Sequence, residues 1–228
     1  MVILKKINKY SRKAFFAVFL GFATVGTTFA GSLDWNVGAT SQYMWRGMSQ
    51  GSGAAVSGGL DYSADNGFSI GTWDSNVDIG DDTTYELDGY FGYSFGPVSL
   101  GYIYYAYPDG DDLDFSEVSI SAELGAVTLG VAVLADADWE GTSFGDDPYF
   151  FLDTGFTLVE GLDLGLHIGH YDYEMGDAET DYGLSLSIGD FSFGIIDSSR
   201  DDSDPKFIIS YGVSGLSLIH ISEPTRPY

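Results

Sequence analysis

From Leu33 onward, apolar and polar residues alternate with a period of two over most of the chain. In the first such segment, Leu33, Trp35 and Val37 share one face, and Asp34 and Asn36 share the other. This is the period of a β-strand that has one apolar and one polar face. No segment has a convincing helical period, so the alternation predicts an all-β fold.

Twelve segments follow this pattern, and the connections between them are of two kinds. The predicted strands span 33–46, 56–63, 67–77, 85–95, 98–107, 114–124, 127–135, 148–158, 162–173, 180–188, 191–197 and 205–213. Short turns such as Gly96-Pro97, Gly125-Ala126 and Ser214-Gly215 alternate with longer acidic loops such as 136–147. Short turns on one rim and long loops on the other are typical of an antiparallel up-and-down transmembrane β-barrel.

The direction of the apolar face separates a membrane barrel from a soluble one. A soluble sandwich or lipocalin-like barrel would bury this face and expose its charges. The apolar face here carries many aromatic residues near strand ends, as interfacial girdles do. These aromatics are Trp35, Tyr43, Trp45, Tyr62, Phe68, Tyr85, Phe95, Tyr102 and Phe193. The pattern favours a membrane barrel in contact with outer-membrane lipid, with a secreted soluble β-protein as the alternative.

In the third strand, Trp73 departs from the alternation, so either a bulge restores the phase or Trp73 points into the lumen.

The first thirty residues differ from the rest of the chain. Basic residues between Lys5 and Lys13 precede an apolar run from Ala14 to Val25, and Thr28-Phe29-Ala30 ends it with small residues. This pattern predicts a cleaved signal peptide over residues 1–30 and Sec-type export. The apolar run is too short for a comfortable membrane-spanning helix. We therefore assign residues 31–216 to the barrel.

Charge limits the partners that the mature chain can have. After residue 30, the cations Arg46, Arg200, Lys206 and Arg226 stand against all 34 acidic residues. Binding to nucleic acid is excluded, because phosphate binding needs clustered cations. The imbalance indicates either a solvated acidic surface or an electric field that favours cations.

Few residues suggest a catalytic or metal-binding site. His167 and His170 lie three positions apart in a predicted strand and therefore on opposite faces, which argues against a shared metal ion. No Gly-x-Ser-x-Gly motif occurs. The acidic loops 108–114 and 200–204 hold oxygen ligands suited to Ca²⁺ but lack the order of an EF-hand, so solvated loops are the favoured interpretation. We predict no catalytic residue, no cofactor and no metal site.

The C-terminal end departs from the barrel pattern. Gly215-Leu216-Ser217-Leu218 begins as a further strand, but Pro224 and Pro227 follow soon after. Residues 217–228 resemble translated adapter sequence, and we expect the native protein to continue differently from about Ser217. A bacterial barrel has an even number of strands. Twelve strands are visible, and fourteen are expected in an intact chain unless the barrel closes at twelve.

Three segments carry a resemblance to a known family. They are Tyr43-x-x-Arg46-Gly47, the stretch 55–62, and the pattern Gly-x-x-x-Gly-Thr-Trp-x-Ser-Asn-Val from Gly67 to Val77. In these segments the chain resembles the TorF-type porins of the bacterial outer membrane, also called the Gcw_chp family. Ala54-Ala55 departs from the family by lacking an expected proline. The resemblance implies an outer-membrane barrel that forms a pore, and it implies no particular solute.

These observations predict a porin-like barrel for passive diffusion of small hydrophilic solutes, with a preference for cations. The predicted pore-lining residues are Arg46, Asp34, Asp61, Glu86, Asp88, Glu117, Glu123, Asp163, Asp181 and Lys206. Inward tyrosines Tyr90, Tyr105, Tyr171 and Tyr173 would narrow the lumen. We expect Arg46 to form a salt bridge at the mouth with Asp61, Asp74 or Glu86. A non-conducting barrel that has a structural role or binds ions or partners is the alternative function.

Overall fold

The alternating segments form fourteen β-strands in a computed structural model that describes residues 31–80, 82–174, 176–201 and 203–216. The strands are β1 (Gly31–Thr40), β2 (Met44–Trp45), β3 (Met48–Ser49), β4 (Ala55–Ala64), β5 (Phe68–Asn76), β6 (Tyr85–Phe95), β7 (Val98–Ala106), β8 (Phe115–Leu124), β9 (Val127–Ala137), β10 (Tyr149–Val159), β11 (Leu162–Tyr171), β12 (Glu179–Ile188), β13 (Phe191–Ser198) and β14 (Lys206–Leu216). The signal peptide and the aberrant tail fall outside the described residues, so both stay predictions. Among the described residues, no helix is long and apolar enough to cross a membrane.

Twelve of these strands close into one antiparallel barrel, in the order β1-β14-β13-β12-β11-β10-β9-β8-β7-β6-β5-β4. β1 completes the ring, because it pairs with β4 on one side and with β14 on the other. Closure gives each of these twelve strands a neighbour on both sides, so the barrel has no edge strand. The predicted all-β barrel is therefore confirmed, and it closes with twelve strands, the smaller of the two expected numbers.

The last strand corrects one prediction. Ser214 and Gly215 do not form a turn, because β14 runs through them and pairs with β1 as far as Asp34↔Leu216. A glycine weakens a strand without ending it when a neighbouring strand supplies hydrogen bonds. The thirteenth strand expected to start at Gly215 is thus the end of the twelfth.

The two rims of the barrel differ as predicted. Connections at one rim, here called the short-turn rim, span 65–67, 96–97, 125–126, 160–161 and 189–190. Connections at the opposite rim, the long-loop rim, span 41–54, 77–84, 107–114, 138–148, 172–178 and 199–205.

The barrel has its apolar side chains on the outside. Large exposed residues recur at every second position, as in Phe191, Phe193 and Ile195 of β13. The lumenal positions between them carry mainly Ser, Gly, Asp and Tyr. This arrangement is the reverse of the one that a soluble barrel requires.

Trp73 belongs to the lumenal face. The register of β5 with β4 and β6 is unbroken, and Trp73 stands opposite Gly59 on one side and Asp88 on the other. The bulge that was one of two expectations for this strand does not occur. Register shifts lie elsewhere, between Ser116 and Glu117 and between Thr157 and Val159.

Closure at twelve strands can be tested with engineered disulfides in this cysteine-free chain. Asn36 and Ser214 are directly opposed across the β1–β14 seam, and directly opposed residues have Cβ atoms about 4.5–5.5 Å apart. We expect Asn36→Cys with Ser214→Cys to oxidise to an intramolecular disulfide, detected as a shift of the unfolded chain on a non-reducing gel. Asn36→Cys with Ser187→Cys, on β12, is the control and should stay reduced. Equal oxidation of the two pairs, or none of the first, would contradict the seam.

Candidate functional site

The connection from β1 to β4 folds into the lumen and forms a small hairpin. β1 ends at Thr40, and β2 and β3 pair only with each other, through Met44↔Ser49 and Trp45↔Met48. Arg46 and Gly47 form the two-residue turn, with φ of 48° and 75°, as a tight hairpin turn requires. We call residues 43–50 the lumenal hairpin. The predicted first strand, 33–46, was therefore too long.

Arg46, at the tip of this hairpin, is bound on the far side of the barrel. Its Nη1 and Nη2 donate to Oε1 and Oε2 of Glu117 at 2.7 and 2.6 Å. Nη1 also donates to the Tyr171 hydroxyl at 3.1 Å. The side chains of Arg46 and Glu117 are 11% and 2% exposed. A buried, bidentate arginine–carboxylate pair is among the strongest contacts that an arginine makes.

Aromatic rings surround the same guanidinium. Its Cζ lies 4.5 Å from the ring centre of Trp45, 4.1 Å from that of Tyr149 and 5.1 Å from that of Tyr171. Burial alone would lower the pKa of Arg46, but the bonds and charge of Glu117 more than offset this and raise it. Arg46 is therefore a permanent cation held inside the barrel.

Two aromatic residues of the hairpin pack against side chains of β5, β7 and β8. Trp45 makes edge contacts with Tyr105 and Phe115, at ring-centre distances of 5.9 and 6.0 Å. Tyr43 contacts Trp73 at 5.3 Å. Tyr43 and Trp45 thus line the interior, and their assignment to the outer aromatic girdle was wrong because the first strand does not extend to them.

Residues of β10, β11 and β12 form a polar network next to the hairpin tip. His167 contacts Asp153 through Nδ1 at 2.6 Å and Asp181 through Nε2 at 2.8 Å. The Tyr149 hydroxyl donates to Asp181 at 3.1 Å, and the Tyr149 ring stacks on Arg46. His170 lies on the other face of β11 and contacts Thr180 at 2.9 Å, as its spacing from His167 predicts.

A cavity of about 610 Å³ lies between this network and the hairpin tip. The hairpin contributes Met44, Arg46 and Gly47, and the network contributes Asp153, His167 and Asp181. Much of the remaining wall consists of small residues, among them Gly155, Gly165, Gly183, Ser185, Ser192, Gly194 and Ser210. Ile196 and Ile208 also line the cavity, so its surface is mixed, with the charged groups at the hairpin tip and the network.

Seven of the ten predicted pore-lining residues fall into three groups. Arg46, Glu117 and Asp181 meet at the hairpin tip. Glu86 and Asp88 are buried beside its base. Asp34 and Asp61 oppose each other in β1 and β4, nearer the short-turn rim.

The other three predicted residues lie apart from these groups. Asp163 and Glu123 are exposed, and Lys206 is half-buried at the start of β14. Asp163 accepts a hydrogen bond from Thr157 at 2.6 Å.

The expected partners of Arg46 were wrong. Asp61 instead accepts bonds from Tyr90 and Asn36, and Glu86 accepts one from Tyr43. Asp74 lies on the outer face, opposite Gly58 and Leu87. Glu117 is 71 positions from Arg46, and no local pattern connects the two. The residues that sequence reasoning missed as site residues are Tyr43, Trp45, Tyr149 and Asp153, although the dipeptide Arg46-Gly47 is a turn signal that could have revealed the hairpin.

A family model described as "Bacterial protein of unknown function (Gcw_chp)" matches residues 24–201. No curated protein sequence matches the chain. Among solved structures, the KdgM porin is 8% identical with a TM-score of 0.45, over 80% of this chain and 97% of that one. An outer-membrane channel from Pseudomonas putida F1 is 12% identical with a TM-score of 0.46, over 84% and 97%. The NanC porin is 13% identical with a TM-score of 0.43, over 82% and 100%. These likenesses are distant, and the fold follows from the pairing of the chain's own strands.

The packing of the hairpin tip against β12 and β13 can be tested at Gly47. A Cβ at this position would lie 2.7 Å from Cβ of Asp181 and 2.9 Å from Cβ of Ser198, and its φ is positive. The left-handed backbone alone costs a non-glycine residue about 1–2 kcal/mol. We expect Gly47→Ala to lower the free energy of unfolding in detergent by at least this amount. Gly53→Ala, in the same loop with open space around it, is the control and should change it by less than about 0.5 kcal/mol. Equal effects of Gly47→Ala and Gly53→Ala would mean that the hairpin tip does not pack against β12 and β13.

Proposed function

The chain belongs to the Gcw_chp family of bacterial proteins, and we propose that it is an outer-membrane channel for passive diffusion of small hydrophilic solutes, with cations favoured over anions. The observation that carries this proposal is a closed barrel with an apolar outside and a polar lumen that one hairpin narrows. The TorF-type porin assignment is part of this proposal.

The outer surface supports a place in a lipid bilayer. The twelve barrel strands are 8–11 residues long, which suits tilted strands that cross a membrane. Exposed aromatic and aliphatic side chains alternate with lumenal polar ones around the ring. In this orientation the short-turn rim lies on the periplasmic side and the long loops lie outside the cell.

The charges of the lumen support a preference for cations. Carboxylates project inward from several strands, among them Asp34, Asp61, Asp153 and Asp163. Arg46 does not offset them, because Glu117 neutralises it. Carboxylates in a wall of low dielectric attract cations and repel anions.

The lumenal hairpin sets the width of the path. It pairs with no barrel strand, and the wall holds it through side chains and through the backbone hydrogen bond from Asp78 N to Gln50 O. Just before the hairpin, Ser41 N donates to Ile209 O. Solutes would pass beside it, through the cavity at the Asp153–His167–Asp181 network.

A second candidate function follows from the same hairpin. Inside the barrel, Trp45 packs edge to face on Tyr105, and Tyr105 stacks on Phe115. Rings that fill the lumen in this way are also suited to a non-conducting barrel that binds an ion or a partner. We favour the channel because a cavity of about 610 Å³ stays open beside the hairpin tip. We propose no catalytic role, because His167 is engaged with two carboxylates and a tyrosine.

The Arg46–Glu117 pair holds the lumenal hairpin in the path, so removal of this pair is expected to widen the path. Arg46→Ala combined with Glu117→Ala removes both charges, so no unpaired charge is left buried. We expect a single-channel conductance in planar bilayers clearly above that of the wild type. Arg200→Ala with Glu179→Ala removes the other Arg–carboxylate pair, which lies near the long-loop rim, and is the control. A conductance unchanged by the first pair and raised by the second would contradict the assigned constriction.

Ion preference is a separate prediction. Under a KCl gradient, we expect the reversal potential of the wild type to have the sign of K⁺ preference. Asp34→Asn with Asp61→Asn should move it toward zero, because two lumenal charges are lost. Preference for chloride would refute the cation selectivity, and a lack of any conductance would favour the non-conducting barrel.

A further inference from the structure

Two buried carboxylates beside the hairpin base each have one oxygen without a hydrogen-bond partner among the described residues. Glu86 and Asp88 are 1% and 5% exposed. Oε2 of Glu86 and Oδ1 of Asp88 are buried and have no hydrogen-bond partner. Within the part of the chain that the structure describes, one side-chain hydrogen bond reaches this pair, from the Tyr43 hydroxyl to Oε1 of Glu86 at 3.2 Å.

Both side chains occupy one corner of the lumen. They lie two positions apart on β6 and therefore on the same face, about 6.6 Å apart along the strand. Asp88 stands between Trp73 of β5 and Tyr105 of β7, and Glu86 stands opposite Ser75. Tyr43 covers the corner from the hairpin.

Among the described residues, the arginines are engaged elsewhere. Arg46 is paired with Glu117, and Arg200 with Glu179. Lys206 lies on β14, whose neighbours are β1 and β13. Buried carboxylates without a compensating charge are strongly disfavoured, so each of these groups is stabilised either by a bound cation or by a proton.

We propose that Glu86 and Asp88 form a binding site for a divalent metal cation, of which Ca²⁺ is the best match. Two carboxylates balance two positive charges, and their free oxygens are the hard ligands that Ca²⁺ prefers. Ca²⁺ also accepts irregular coordination that water can complete, whereas Mg²⁺ demands near-octahedral geometry.

The Tyr43 phenol is suited to a second role at this site. Its hydroxyl donates to Oε1 of Glu86 at 3.2 Å, so Tyr43 connects the site to its own segment of the chain. Tyr43 belongs to the lumenal hairpin. A bound cation therefore stabilises the hairpin base on β6, while Glu117 holds its tip on β8. This site is independent of whether the barrel conducts, and its test uses no conductance.

The experiment measures thermal unfolding of the full chain refolded in detergent, first with chelator and then with increasing Ca²⁺. We expect the wild-type Tm to rise to a plateau. Glu86→Gln with Asp88→Asn should abolish this rise and, in chelator, should unfold at a higher temperature than the wild type, because the two buried charges are gone. Asp163→Asn with Glu123→Gln removes two exposed carboxylates and should keep the rise.

Three results would overturn the site. They are a wild-type Tm that does not respond to Ca²⁺, a response that survives in Glu86→Gln with Asp88→Asn, and a response lost equally in the control. Stabilisation by acid in place of Ca²⁺ would show that the pair holds a proton.

A second measurement needs no change to the two carboxylates. Tb³⁺ substitutes for Ca²⁺ and emits when a nearby Trp is excited. Trp73 adjoins Asp88, whereas Trp139 lies in an acidic loop at the long-loop rim. Trp73→Phe should remove most of the Ca²⁺-displaceable emission, and Trp139→Phe should leave it. The opposite result would place the ion in the loop and overturn the proposal.

Discussion

The ion pair between Arg46 and Glu117 determines the interior of this barrel. Glu117 is 2% exposed, so neither charge is solvated well enough to stand alone. Removal of one partner of a buried pair typically costs about 3–5 kcal/mol, because the other charge is left unpaired. The hairpin that carries Arg46 has only two paired positions on each strand, and an isolated hairpin is at best marginally stable in water. Its position therefore depends on the contacts of its tip and its base with the wall.

The rest of the lumen is organised around that position. Side chains near the hairpin are large, and Tyr105, Tyr149 and Tyr171 contact Trp45 or Arg46. On β10 to β13 the lumenal positions further from the long loops are small, and Gly155, Gly165, Ser185 and Gly194 follow one another across the sheet. Large residues hold the hairpin and small ones leave the cavity, so one barrel contains both a constriction and a wider space.

Period-two alternation was sufficient to predict the strands, because each strand has one apolar and one polar face whatever its partners are. It did not show that Tyr43 and Trp45 lie inside, since a hairpin continues the same alternation after the barrel strand has ended at Thr40. The contacts of Arg46 could not be predicted either, because they depend on which strands stand opposite each other across the closed ring. Ser214-Gly215 resembled a turn, but the pairing with β1 keeps it in a strand.

The central claim is that the lumenal hairpin is held inside a twelve-strand barrel by the Arg46–Glu117 pair. A double-mutant cycle with Arg46→Met, Glu117→Gln and both together, measured by unfolding in detergent, tests it most directly. A pair buried in the lumen should give a coupling energy within the range of about 0.5–3 kcal/mol observed for contacting residues, and toward its upper end. Additive effects of the two substitutions, within about 0.5 kcal/mol, would show that the hairpin tip does not reach β8 and would contradict the account.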